Sequence, residues 1–327
     1  MNMIVTHLSR ALCLTTALLC TALTSLDARS FGSFGSDSDS FGNGLEAWDH
    51  VRRPVSNPTL FDLPVAQTYI KPLFLYHVLP DNIRTTLGDV PAGGEVLLYA
   101  VQFQYAFTDS LALVALKDGF VDFRADNTLA DTDGFANLSA GLKWTFFQKP
   151  EEGSAAALRL MYEIPIGEDE VLQGQGSGLI IPSLDLMQIV GPAQFASTIG
   201  AEVPIDGDDE STMLFLSGHF SYEVLPRFAP LVELNYRRVL GEGDGGSRFP
   251  LHAGGAVPAL ATFEGGDLFN FGASNGSTNP DFLSFALGFR YRVLDWAELG
   301  FAWERPITDR EESVMEQRFH VDAVIHF

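Results

Sequence analysis

The strongest constraint on this chain is a period of two. From about Glu95 to the end, segments of about ten residues alternate apolar with polar side chains. In Asn137 to Phe147, Leu138, Ala140, Leu142, Trp144 and Phe146 oppose Asn137, Ser139, Gly141, Lys143 and Thr145. Further on, Leu283, Phe285, Leu287, Phe289 and Tyr291 oppose Ser284, Ala286, Gly288, Arg290 and Arg292. The final RFHVDAVIHF sets Phe319, Val321, Ala323, Ile325 and Phe327 against Arg318, His320, Asp322, Val324 and His326. Such alternation marks β-strands with two unlike faces. A final strand that ends on an aromatic ring is poorly suited to water, where chain ends fray and carry polar residues.

The segments come in pairs. LLYAVQFQYAF breaks at TDS and resumes as LALVALKDGFVDF; NLSAGLKWTFF breaks at QKPEEGS and resumes as AAALRLMYEIPIG. Three more hairpins follow, around GPA, LPR and LD, and the terminal strand is left over. Between hairpins lie longer polar stretches, including RADNTLADTDGFA, GEDEVLQGQGSG and the residues from Gly241 to Pro280. Short breaks alternating with long ones are how an outer-membrane β-barrel is threaded, with periplasmic turns and extracellular loops. Glu163-Ile164-Pro165-Ile166, Glu202-Val203-Pro204-Ile205 and Glu304-Arg305-Pro306-Ile307 repeat an ExPI pattern. Proline cannot donate to a strand ladder, so all three mark strand ends, at the rim that bears the long loops.

Both ends of such a barrel lie in the periplasm, which makes the strand count even. Five hairpins and the last strand leave one strand to find, and Val65 to His77 is the extended candidate. The expectation is an all-β transmembrane antiparallel barrel of about twelve strands over 65–327. The competing soluble fold, a large sandwich or lipocalin-like barrel, would turn its apolar faces inward.

The chain carries a formal net charge of −22 and no Lys/Arg-rich run, which excludes nucleic acid as a partner. MNMIVTHLSR followed by an apolar run to Leu26 reads as a signal peptide over 1–28. Both cysteines, Cys13 and Cys20, fall within it, so the mature chain is expected to lack thiol chemistry. Residues 29–64, opening with FGSFGSDSDSFGNG, read as a flexible periplasmic segment. The expected location is the outer membrane. Expected partners are the lipid bilayer and lipopolysaccharide, the outer-membrane assembly machinery, for which Phe327 is the signal, and a small-molecule solute. No cofactor and no metal site are expected.

With apolar faces toward lipid, the lumen collects Lys143, Arg159, Glu163, Glu202, His219, Glu233, Arg237, Arg290, Arg292, Glu298, Glu304, Arg318, His320 and Asp322, together with Asp185, Glu223 and Asn235. Their mixed signs suit pairing across the strands, which holds the wall in shape, better than a one-sign ion filter. The long stretch from Gly241 to Pro280 carries Phe249, Phe263, Phe269 and Phe271 and is expected to fold over or into the lumen, or to move freely at the surface. Acidic clusters at Glu168, Asp169 and Glu170 and at Asp206, Asp208, Asp209 and Glu210 read as solvated loop charge, with cation bridging to lipopolysaccharide as the alternative. Ser217 with His219, and His320 with Asp322, share strand faces, but no orienting group or oxyanion donor follows from spacing. The chain is therefore not expected to be an enzyme.

The stretch YEIPIGEDEVLQGQGSGLIIPSLDL, Tyr162 to Leu186, has a strand ending in Pro and Gly, a GQGSG loop, and a strand opening at Pro. Here the chain resembles the transporter-like outer-membrane proteins associated with the meta-pathway of phenol degradation. The resemblance covers about Gly94 to Phe327 and departs where ExPI is followed by acidic residues. It implies passive passage of small solutes, aromatic or hydrophobic ones included, and brings no catalytic residues. The alternative is a non-conducting structural or adhesion-type barrel with acidic surface loops.

Overall fold

Alternating faces can satisfy every backbone donor and acceptor in hydrocarbon only if the sheet closes on itself. This one does. The computed structural model describes Trp48 and residues 51–327 apart from 86–87, 175, 208–209, 242, 244–247, 255 and 259–279. The twelve barrel strands are β1 Tyr69–Val78, β2 Gly94–Ala106, β3 Leu111–Lys117 continued as Phe120–Ala125, β4 Thr132–Phe135 continued as Leu138–Lys149, β5 Ser154–Ile164 and β6 Leu179–Val190. They continue as β7 Ala193–Pro204, β8 Thr212–Tyr222, β9 Phe228–Gly241, β10 Asp281–Leu294, β11 Ala297–Pro306 and β12 Gln317–His326. Each pairs antiparallel with its chain neighbours, and β1 also pairs with β12, which closes the ring. Among the described residues no helix is long and apolar enough to cross a membrane.

The apolar parity faces outward. Leu142, Trp144, Leu158, Leu160, Leu299 and Val321 are exposed, whereas Lys143, Thr145 and Arg159, from the opposite parity, are buried. Exposed Tyr105, Phe107, Tyr222 and Trp296 gather beside the short turns, as aromatic girdles do at a membrane boundary. The third strand shifts at Asp118–Gly119, where Gly119 takes φ 127°. An added Cβ there would lie 2.7 Å from the Tyr99 carbonyl oxygen. The Asp118 carboxylate fills the gap in the ladder, accepting from the Val101 N–H at 3.1 Å.

Two expectations change in detail. The first strand opens at Tyr69 instead of Val65. The long break after β3 is shorter than RADNTLADTDGFA suggested, because pairing extends to Ala125 and resumes at Thr132. Most of the Gly241 to Pro280 stretch, like the signal segment 1–28 and Asp208 and Asp209, lies outside the described residues. Its described portion pairs Arg248–Pro250 with Ala256–Pro258, and Leu251 bridges to Leu129 in the β3–β4 loop.

The largest correction concerns the segment before the barrel. Residues 29–64 are expected from sequence to form a flexible periplasmic segment; residues 29–47 lie outside the described residues, and the described part from Trp48 is buried inside the barrel. It enters at the short-turn end, where the Trp48 indole N–H donates to Gln148 at 3.3 Å. It reverses at 56–60, with Asn57 at φ 50°, and returns to the same end to begin β1.

Candidate functional site

The segment 48–68 contains Pro54, Pro58 and Pro64, which keep it from joining the sheet as a strand. A chain buried without ladder partners must have its backbone groups satisfied some other way. The wall does this. Arg290 donates to the carbonyls of Arg53 at 2.7 Å and Pro54 at 2.8 Å. Gln102 donates to the Pro58 carbonyl at 3.0 Å, Arg159 to that of Leu60 at 2.6 Å and Thr145 to that of Pro64 at 2.7 Å. Gln104 reaches the carbonyls of Val65 at 2.9 Å and Gln67 at 2.7 Å. Gln194 holds Arg52 by both its N–H, at 2.8 Å, and its carbonyl, at 2.7 Å.

Acceptors on the wall act in the opposite sense. Glu233 accepts the N–H of Val55 at 3.0 Å and of Ser56 at 2.7 Å. The charged side chains of the plug are also received. Asp62 pairs with Lys143 and, at 3.0 Å, with Arg53 of the plug itself. Burial alone would raise the Asp62 carboxyl, but Lys143, Arg53 and Arg159 outweigh it and hold the group well below the ordinary carboxylate range. Apolar contacts complete the fit, with Leu60 among Leu116, Met161 and Phe215, and Val55 against Leu231, Ala286 and Ala302.

The remaining wall charges pair with one another. Lys117 meets Glu163 at 2.6 Å, Arg159 meets Asp185 at 3.1 Å and Arg237 meets Glu202 at 2.7 Å. Arg290 forks onto Asp322, with one arm at 2.8 Å. Glu304 takes His320 at 2.8 Å and Arg318 at 3.7 Å, and Glu298 meets His326 at 3.3 Å. Of the residues expected in the lumen, Lys143, Arg159, Glu163, Glu202, His219, Glu233, Arg237, Arg290, Glu298, Glu304, Arg318, His320 and Asp322 are all buried. Arg292, close to the short turn after β10, is only half-buried.

Neither of the two pairs that share a strand face is joined by a hydrogen bond. Ser217 hydrogen-bonds Asn235 at 2.8 Å and receives Asn57 of the plug at 3.0 Å. His219 instead lies between Glu233 at 2.7 Å and Ser221 at 2.9 Å. That series has the order of a hydrolytic relay, but Ser221 is fully buried and its hydroxyl also receives the Arg52 guanidinium at 2.8 Å. With the plug seated, a substrate carbonyl has no approach to it. His320 pairs with Glu304, and Asp322 pairs with Arg290. Among the described residues no group of three or more His, Cys, Asp or Glu side chains is arranged to hold a metal ion.

The plug was the feature missed from sequence. A signal was present at Trp48, where the Gly, Ser and Asp tract gives way to VRRPVSNPTLFDLPVAQ, a stretch with regular prolines and six large apolar side chains. Such a stretch is ill suited to remain in water.

No family model matches the chain, and no curated protein matches it. Solved structures do. An outer membrane channel from Pseudomonas putida F1 is 13% identical with a TM-score of 0.55, over 84% of this chain and 100% of that one. The NanC porin, 4% identical, has a TM-score of 0.46 over 80% of this chain and 100% of its own. The KdgM porin in complex with disordered oligogalacturonate, 9% identical, has a TM-score of 0.41 over 78% and 99%. The last two superpose too loosely to carry an argument. The first establishes the fold, and with the apolar exterior it identifies the chain as an outer-membrane β-barrel.

Proposed function

We propose that the barrel is a channel for passive passage of small solutes and that its own segment 48–68 closes it in the state described. The observation that carries this reading is how the segment is held. More than half of the polar contacts run from a wall side chain to a plug backbone group, and water can replace these. A lumen emptied of the plug would therefore wet readily, whereas a barrel filled by its own apolar core would not. The resemblance implied aromatic solutes; the wall beside the plug offers Lys, Arg, Gln and Thr for polar groups together with apolar Leu116, Met161 and Phe215. The same reading takes Phe327, exposed with its N–H on the Thr68 carbonyl at 3.2 Å, as the signal for assembly.

The test is a reversible latch. Ser56 on the plug and Asn235 on the wall touch at 2.9 Å, and the described residues contain no cysteine to compete. The variant Ser56→Cys/Asn235→Cys should conduct in planar bilayers when reduced, fall silent when oxidised, and recover with reductant. Unchanged current in the oxidised form would remove the plug from the permeation path. Silence of both the reduced variant and the wild type would favour the non-conducting structural barrel.

A further inference from the structure

We propose that the lumen takes small carboxylates that also carry N–H or O–H donors, and that Lys71 and Lys143 form the carboxylate subsite. The inference rests on the channel reading. Most wall carboxylates keep a cationic or imidazole partner on the wall when the plug withdraws; Glu233 keeps His219 but loses the plug N–H groups, and half-buried Glu223 at the short-turn end loses Arg52, 3.9 Å away. Two lysines differ. The only carboxylate partner of Lys143 among the described residues is Asp62, which belongs to the plug. Lys71 is 4% exposed, faces inward from β1, and among the described residues has no hydrogen bond and no carboxylate within ion-pair distance.

The two lysines share one sector of the wall. Lys71 lies across from Gln102 on β2, and Lys143 donates to Gln104 at 2.7 Å, two residues further along the same face of β2. Buried cations seldom stay unpaired, because desolvating a charge without a partner is costly. Once the plug takes Asp62 away, Lys143 joins Lys71 as a cation without an ion-pair partner, and two such cations flanked by amide donors suit an anion.

The plug itself shows the shape of the ligand. It seats a carboxylate, Asp62, on Lys143, and it presents two N–H groups to Glu233 on β9, well round the ring. A solute that replaces it satisfies both walls only if it brings a carboxylate for one and donors for the other. Hydroxy acids, amino acids and acidic sugars do so, and a neutral aromatic does neither.

The test is efflux from vesicles reconstituted with the full chain and loaded with gluconate or with sorbitol, a neutral polyol of similar size. Gluconate should leave faster by about tenfold, the effect of a site that concentrates the counter-ion. Lys71→Gln should bring the ratio of the two rates toward one, and Lys71→Arg should keep it. Lys143→Gln should lower the ratio even as it frees Asp62 and raises both rates. Equal rates in the wild type, or an unchanged ratio in Lys71→Gln, would overturn the subsite and leave the channel standing. If neither solute leaves vesicles whose barrel shows the heat-dependent gel shift of a folded protein, the channel reading falls, and the subsite falls with it.

Discussion

At the scale of single residues, Gly300 shows how a small side chain makes room for a charge pair. It lies on the inward parity of β11, between Arg290 on β10 and Asp322 on β12 in register. A Cβ built there would stand 2.5 Å from Arg290 Nη1 and 2.6 Å from Asp322 Oδ1. The pair spans two strand spacings only because the strand between them contributes no side chain. Gly300→Ala is therefore expected to cost about 1–3 kcal/mol, as overpacking does. The loss is read from the urea midpoint of the folded barrel. An unchanged midpoint would mean that the pair can shift at no cost. Arg290 also carries the Arg53 and Pro54 carbonyls, so the same variant should loosen the plug and raise the fraction of time the channel is open.

At the scale of elements, the plug and the strands obey different rules. A strand satisfies its backbone through neighbours at fixed spacing, whereas the plug relies on side chains that happen to reach it. Losing one such side chain is thus felt locally. Asp62→Asn leaves the Lys143 and Arg53 cations without their carboxylate, and breaking a buried pair in this way costs about 3–5 kcal/mol. The expected result is a higher open probability with an intact barrel. The pH dependence follows from the sign of the Asp62 shift. Its folded-state value is depressed, so its contribution is complete above the ordinary 3.8 and is lost only as pH falls below that, through the folded-state value. Acidification from pH 7 to 5 should therefore leave the Asp62 latch closed. An opening in that range that is abolished in Asp62→Asn would contradict the assignment.

At the scale of the whole molecule, the solvent on each side of the wall decides what each face tolerates. Leu160 is 58% exposed on the outer face, between Arg159 and Met161, which point inward. Leu160→Arg should destabilise insertion by about 2–4 kcal/mol near the bilayer midplane. A folding titration in liposomes measures this, and a negligible effect would argue that the outer face does not meet lipid. Deleting Phe327 should lower the yield of heat-modifiable barrel in the outer membrane while leaving the conductance of each inserted barrel unchanged.

How much of this was legible in the sequence depends on the range of the interaction. Parity is a local property, because successive side chains of a strand must point to opposite sides. The alternation of Leu142 with Lys143, or of Leu160 with Arg159, therefore determined by itself which residues face lipid, and the pattern of short and long breaks determined the ring of twelve. Nothing local says that Asp62 will meet Lys143, that Glu233 will receive the backbone of Ser56, or that Lys71 will be buried with no carboxylate within ion-pair distance among the described residues. Those outcomes depend on closure. Only when β1 meets β12 does the inner face become an enclosed space, where the segment 48–68 finds donors for its proline-flanked carbonyls and a dry place for Leu60 and Phe61. In an open sheet the same segment would have no reason to fold back.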